Sequence, residues 1–333
     1  MDEIISISFG NGGKKTSKLI EELILPSFDN SMLNALGDGA LLSTKNEIAF
    51  STDSFVIDPI FFPGGDIGKL SVCGTVNDLL MCGSKPKYLS LSFIIEEGFE
   101  MSSLKQIVES ISKTAKIAGV KIVTGDTKVV DKGHGHGIFI NTSGIGERIP
   151  GIELSTARIK KGDKVIVSGT LGDHGISILC ARENFLPQDI CSDCAPLNEV
   201  VEKILSFKEK VKIMRDPTRG GVATTLNEFV EKMDFSIELY EDKLPINPAV
   251  STVCELLGME PLYIANEGKV LTIVSEDIAE ELVVELRKLP VSKDAEIIGE
   301  VVDYTKSKLV LKSVLGGKTI LDKLSQDALP RIC

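Results

Sequence analysis

From residue 86 to residue 130 the chain passes through a strand-like run, PKYLSLSFII, a longer helix-like run, MSSLKQIVESISKTAKIAG, and a second strand-like run, VKIVTGDTKVV. Segments of these two periodicities bury their apolar faces together only as helix and sheet layers on a shared core, so the chain is confined to an α/β (α+β) architecture. Strands at EIAFSTDS and GIFINTSGIG and a helix at GKLSVCGTVNDLLMCG complete one such unit. An amphipathic helix over KTSKLIEELILPSF precedes it and is expected to end at Pro26. After the polar stretch RIPGIELSTARIKKGD a second set begins with KVIVSGTL. Helices are expected around 174–182, 196–206, 220–232 and 277–288, with strands near 236–240 and 269–275 and at AEIIGEVVD. The chain thus divides into an N-terminal unit, 1–155, a C-terminal α/β unit, 156–322, and a mobile tail, 323–333, where periodicity fails and Pro330 breaks the backbone pattern.

The chain has 333 residues, of which 43% are hydrophobic and 26% charged, enough for two ordinary cores. Its start, MDEIISISFG, carries acids where a signal peptide carries Lys or Arg, and no apolar run nears the roughly 18 residues of a membrane span, so a cytoplasmic address without a membrane partner is expected. Seven cysteines cannot all pair and read as reduced thiols. A net charge of −11 and the lack of a basic patch with interleaved aromatics argue against nucleic acid.

Acids recur at the ends of separate elements: Asp38 in GDGA, Asp53 in STDS, Asp78 in VND and Asp126 in TGDTK. Carboxylates gathered beside small residues repel one another unless cations neutralise them, and hard oxygen donors suit Mg²⁺ carrying a polyphosphate. Each aspartate alone is also an ordinary turn or cap residue. GNGGKK offers glycine N–H groups at Gly12 and Gly13 and a lysine at Lys14 for phosphates, without the spacing of a P-loop. RDPTRGG sets Asp216 and an arginine before a helical run, as an anion cradle or a capped helix start. Lys128 and Glu267 stand beside glycines in GDTK and ANEGK, His174 opens GDHG, and CSDC has the spacing of half a zinc site or of a redox pair.

Taken in order, FSTDSFVIDPIFFPGGDIGKLSVCGTVNDLLMCG, IVTGDTKVV, VSGTLGDHG, RDPTRGGV, CELLGMEPLYIANEGK and the terminal PRIC resemble the hydrogenase-maturation carbamoyl dehydratases, the HypE family. That family belongs to the ATP-binding superfamily of aminoimidazole ribonucleotide synthetase, selenophosphate synthetase and thiamine-monophosphate kinase. The resemblance spans nearly the whole chain; Ser8, Asn11 and the extra cysteine of CSDC depart from the family pattern.

The resemblance implies a two-domain aminoimidazole ribonucleotide synthetase-like fold whose N-terminal domain pairs in a homodimer to build a β-barrel. It implies ATP bound through Gly12, Gly13, Lys14, Thr52, Asp53, Asp78, Asp126 and Asp216, with Mg²⁺ on Asp38, Asp53, Asp78 and Asp126. It further implies that a partner carbamoyltransferase loads Cys333 and that ATP then drives dehydration of the thiocarbamate to a thiocyanate. A scaffold complex would take the cyanide onto hydrogenase iron. Glu267 is the expected base and Lys128 the residue that steers the oxygen or the phosphates. Two other readings stay open: a related small-molecule kinase, and a thiol or metal carrier using Cys191, Cys194 and Cys333.

Overall fold

The computed structural model describes residues 4–9, 14–34, 42, 44–45, 47–185, 190–231, 233–303 and 307–323. A four-stranded sheet forms the first layer, from β1 (Ile48–Phe55), β2 (Ser84–Glu96), β3 (Lys121–Val130) and β4 (Ile138–Arg148) in the order β1-β4-β2-β3. β4 is antiparallel to both β1 and β2, whereas β2 and β3 run parallel. Two long helices pack on this sheet, α1 (Ile67–Met81) and α2 (Met101–Ala118). A parallel neighbour cannot be reached through a tight turn, and α2 is the crossover that joins β2 to β3.

Alternation sorts the sheet's two faces. Leu89, Leu91, Phe93 and Ile95 of β2 are buried in one core with both helices, while Tyr88, Ser90, Ser92 and Ile94 point the other way. On that outer face Phe50 is 66% exposed, Ile48 48% and Ile94 43%, an apolar surface with no cover among the described residues. α1 begins at Asp66, whose carboxylate accepts from the Gly68 and Lys69 N–H groups at 2.7 and 3.1 Å. Buried residues surround it on nearly every side, because it lies between the first sheet and the second unit.

A seven-stranded sheet forms the second layer: β5 (Lys164–Val167), β6 (Val211–Arg215), β7 (Ser236–Tyr240), β8 (Leu271–Val274), β9 (Glu296–Val302), β10 (Leu309–Lys312) and β11 (Lys318–Ile320). Their order is β11-β10-β7-β9-β5-β8-β6, antiparallel except between β10 and β7. Around it pack α3 (Asp173–Arg182), α4 (Asn198–Leu205), α5 (Gly221–Val230), α6 (Pro248–Leu257) and α7 (Glu276–Leu286). β5 and β8 are buried on both faces: Val165, Val167, Leu271 and Ile273 join one core, Ile166 and Val274 another. The second of these cores also contains Leu89, Phe93 and Ile107, so apolar packing runs unbroken between the two layers. No helix among the described residues is long and apolar enough to cross a membrane.

Pro26 does not end the first helix. Helical pairing runs from Lys14–Leu19 through a π turn, Ile20–Ile24, to Leu25–Phe28, with Pro26 in the first turn of the last piece. The wider turn shifts the bonding from i−4 to i−5, as in Leu25 N–H to Ile20 O, just ahead of the residue that has no N–H to give.

Candidate active site

Ser51 and Asp53 occupy alternate positions of β1. Asp53 pairs with Thr142, a fully buried residue whose hydroxyl donates to the Ser71 carbonyl of α1, so Asp53 faces that helix. Gly74 permits the approach: a Cβ there would stand 2.8 Å from the Phe55 ring and 3.5 Å from an Asp53 carboxylate oxygen. One turn along α1, Asp78 accepts a hydrogen bond from Ser51 Oγ at 2.7 Å, which brings the carboxylates of strand and helix to one place.

The second unit adds two more acids. Asp216 follows β6 in RDPTRGG, and Glu267 precedes β8 in ANEGK; β6 and β8 are antiparallel neighbours. Asn266 ties the two loops together. Its Nδ2 donates to the Pro217 and Ile264 carbonyls at 3.1 and 3.0 Å, and its Oδ1 accepts from Gly172 N–H at 2.8 Å. Across the junction, Asn77 of α1 donates to the Ala195 and Glu267 carbonyls at 3.1 and 3.2 Å and accepts from Leu197 N–H at 3.0 Å.

All four acids are pushed toward their protonated forms. Burial raises the pKa of Asp53, with Asp78 adding to it and the Ser54 N–H and Arg219 opposing. Burial likewise raises Asp78, against the Ser51 hydrogen bond, Arg215 and Arg219. Asp216 is lifted from 3.8 to about 6, first by burial and then by repulsion from Asp78, with Asp53 adding to both. Glu267 is held well above the usual carboxylate range by burial and then by Cys194, Asp216, Asp193 and Asp53. None of the four is in an ion pair among the described residues. Such a group attracts either protons or a cation. Mg²⁺ takes one or two carboxylates and completes its shell with phosphate oxygens and water, a role that Asp53 and Asp78 fit by donor type. Among the described residues no three metal-binding side chains form a cage of their own.

Other expected site residues lie elsewhere. Asp126 pairs with Ser92 and Lys128 with Ile94, which puts both on the outer face of the first sheet and on β3, the edge opposite β1. There Lys128 Nζ is 3.3 Å from Asp126 Oδ1. Within one chain, therefore, Asp126 does not join Asp53 and Asp78, and Lys128 does not join Glu267: strand order and side-chain alternation separate them. Thr52 also turns outward, its hydroxyl 2.8 Å from that of Ser143. Lys14 opens the helix Lys14–Leu19. Gly12, Gly13, Asp38 and Cys333 lie outside the described residues.

His174 sits in the first turn of α3, fully buried, its Nδ1 2.8 Å from Ser192 Oγ. Burial drives its pKa down to about 4, so it is a neutral strut between two segments. Within CSDC, Cys191 is exposed and Cys194 buried. Asn77 and Asp193 were not singled out by the sequence, where they carried only the signal of adjoining Asp78 and of lying between two cysteines; Arg219 lies in RDPTRGG, the stretch read as an anion cradle or a capped helix start.

Residues 36–148 match the family described as AIR synthase related protein, N-terminal domain, and residues 160–312 its C-terminal domain. The carbamoyl dehydratase HypE of Cupriavidus necator is 44% identical over 332 residues, covering 99% of this chain and 95% of that protein. A crystal structure of the hydrogenase maturation protein HypE in complex with ATP superimposes with a TM-score of 0.94 at 44% identity, over 98% of this chain and 99% of that one. HypE in a HypE–HypF complex superimposes with a TM-score of 0.80 at 48% identity, over 92% of this chain and 99% of that one. On this likeness, the chain belongs to the carbamoyl dehydratase HypE family of hydrogenase maturation proteins, built on the two-domain AIR synthase related fold.

Proposed function

We propose that the chain uses ATP to dehydrate a carbamoyl group carried on Cys333 to a thiocyanate, the source of cyanide for hydrogenase iron. The observation that carries this reading is the convergence of Asp53, Asp78, Asp216 and Glu267, from both units, at one acidic junction. Expelling oxygen from S–C(=O)–NH₂ requires a better leaving group than hydroxide. If the carbonyl oxygen attacks the γ-phosphorus, ADP departs, and nitrogen gives up a proton, the oxygen becomes a phosphate ester on carbon. Loss of that phosphate with the second N–H proton leaves S–C≡N. The balance is thiocarbamate plus ATP to thiocyanate, ADP and phosphate.

Phosphoryl transfer of this kind demands positioning and charge neutralisation more than a strong nucleophile. Asp53 and Asp78 would hold the Mg²⁺ that accompanies the nucleotide, which supplies charge neutralisation on the phosphates when bound. Arg219, close enough to lower the pKa of both aspartates, supplies fixed positive charge beside them. Glu267 would take the protons from nitrogen; burial and neighbouring acids raise its proton affinity, as a base with that task requires.

Two features of the first sheet support a homodimer: the apolar outer face around Phe50 and Ile94, and Asp126 and Lys128 on the same face, away from their own chain's acids. Pairing two such faces would bury the apolar surface and place Lys128 to serve the site of the other chain. A carbamoyltransferase would load Cys333, consistent with the HypE–HypF complex formed by a similar chain, and an iron-bearing scaffold would accept the cyanide, in the cytoplasm.

Intact mass tests the reading. After incubation with the carbamoylating partner, carbamoyl phosphate and ATP, the chain should gain a carbamoyl group and then lose one water, with the modification on Cys333. Carbamoylation followed by ATP turnover without loss of water would refute it.

A further inference from the structure

Resting on the reading of Glu267 as the base, we propose that Asp193 is a positioning residue for Glu267, gripping its backbone through two successive N–H groups, with Lys269 as counter-ion. Asp193 is the acid of CSDC, set between the exposed Cys191 and the buried Cys194. Its Oδ1 accepts from Glu267 N–H at 3.0 Å and its Oδ2 from Gly268 N–H at 3.2 Å. Lys269 Nζ lies 3.1 Å from Oδ2, with the two side chains 7% and 3% exposed.

A buried ion pair is a costly way to hold a fold, and two apolar residues of like volume commonly serve as well. What apolar residues cannot do is accept two adjacent backbone N–H groups with one side chain, as a carboxylate does. An asparagine offers only one acceptor oxygen and turns an NH₂ toward the second donor. The grip is also closed from the other end, since Asn77 Nδ2 donates to the Glu267 carbonyl at 3.2 Å. Both peptide groups that flank the Glu267 side chain are thereby fixed. Backbone contact removes the remaining slack: a Cβ at Gly268 would fall 1.9 Å from the Asp193 carbonyl oxygen. Burial pushes the Asp193 carboxyl up, but Lys269, then His174 and the Glu267 N–H, outweigh it and keep the group ionised.

The arrangement explains why an acid and a lysine are sealed inside the junction. A base that must meet protons on a small group has to be placed within a fraction of an ångström, and a loop between Asn266 and β8 has no rigidity of its own. Asp193 transfers the rigidity of the 190–197 segment to that loop, and Ser192 and Asn77 in turn anchor this segment to α3 and α1.

Asp193→Asn alone strands the Lys269 charge and can fail to fold, so the test pairs it with Lys269→Met, which removes both charges together. The readouts are ATP affinity by calorimetry and single-turnover conversion of the carbamoylated chain to thiocyanate by intact mass. Asp193→Asn with Lys269→Met should keep its ATP affinity while dehydration slows by about 10²-fold, the scale on which an ångström of misplacement acts. Added to Glu267→Gln, the same two changes should slow dehydration no further, because residues that act as one unit are not additive. A normal dehydration rate in the doubly substituted chain, or independent slowing on top of Glu267→Gln, overturns the role of Asp193. If Glu267→Gln itself dehydrates normally, the base assignment fails and this inference falls with it; a slow Glu267→Gln beside a fast Asp193 variant sinks this inference alone.

Discussion

Asp216 is the clearest case of a side chain kept in an environment that works against its charge. Its pKa of about 6 against an ordinary 3.8 means that the folded chain holds a proton over that window which the unfolded chain has released. Its contribution to stability therefore falls as pH rises through the window, and the full penalty is present above about pH 6. Asp216→Asn removes the penalty. The nucleotide-free variant should melt higher than the parent chain above about pH 6, with the difference vanishing toward pH 3.8. His174 has the opposite slope, because with a pKa near 4 instead of 6.5 it takes up its proton only on unfolding within that interval. Since both chains keep His174, its effect cancels in the difference, and a Tm gap that does not widen with pH contradicts the assignment. For Asp53→Ala we expect weaker ATP binding in the presence of Mg²⁺ and little change without it. Calorimetry in the two buffers decides this, and equal effects in both would remove Asp53 from the metal's ligands.

α1 is the element that joins the site. It buries its apolar residues in the core shared by both layers, presents Asp78 to β1, and through Asn77 bonds to two segments of the second unit. Asn77 is 2% exposed, so Asn77→Ala takes the partner from three backbone groups, the Glu267 carbonyl and Leu197 N–H in buried bonds and the Ala195 carbonyl in a part-buried one. At about 1–3 kcal/mol for each unsatisfied group, stability should drop by roughly 3 kcal/mol or more. Urea unfolding measures this, and a loss under about 1 kcal/mol would mean that water replaces the lost amide. Much of the element pattern was legible beforehand: the strand-helix-strand run over β2, α2 and β3, and the helices α3, α4, α5 and α7. α6 was not, because Val250, Thr252 and Val253 give PAVSTVCELL a weak helix propensity. Its signals lie at the ends: the Asn247 side chain accepts from Ala249 N–H, Pro248 opens the first turn, and Gly258 closes the last at φ 66°. β6 was missed as well, a short edge strand whose Lys212 and Arg215 interrupt the apolar pattern.

For the assembly, the proposed dimer makes one demand that a single chain cannot meet: Lys128 and Glu267 must come from different copies. Mixing Lys128→Ala chains with Glu267→Gln chains, under conditions that let subunits exchange, should restore dehydration that neither variant performs alone, because each mixed dimer regains one site with both residues intact. Mass spectrometry of the mixture reads this directly. No recovery, with mixed dimers shown to form, would put both residues in the service of one chain or remove Lys128 from the reaction.

Aspartates beside glycines, the ANEGK and RDPTRGG loops and the alternating layers could be read from the residues because each is a local pattern: a periodicity, a turn pair, a charge next to a small side chain. Which of those acids meet was decided by the fold. Asp53 and Asp126 look alike in STDS and TGDTK, yet strand order and alternation send one toward α1 and the other to the opposite face and edge. Glu267 and Asp193 are 74 residues apart and had no local sign of each other, since their meeting depends on backbone N–H groups that every residue carries. Local patterns express the preferences of a few neighbouring residues. The site arises where distant segments find their hydrogen-bond partners in a buried place, and only the packed chain contains that information.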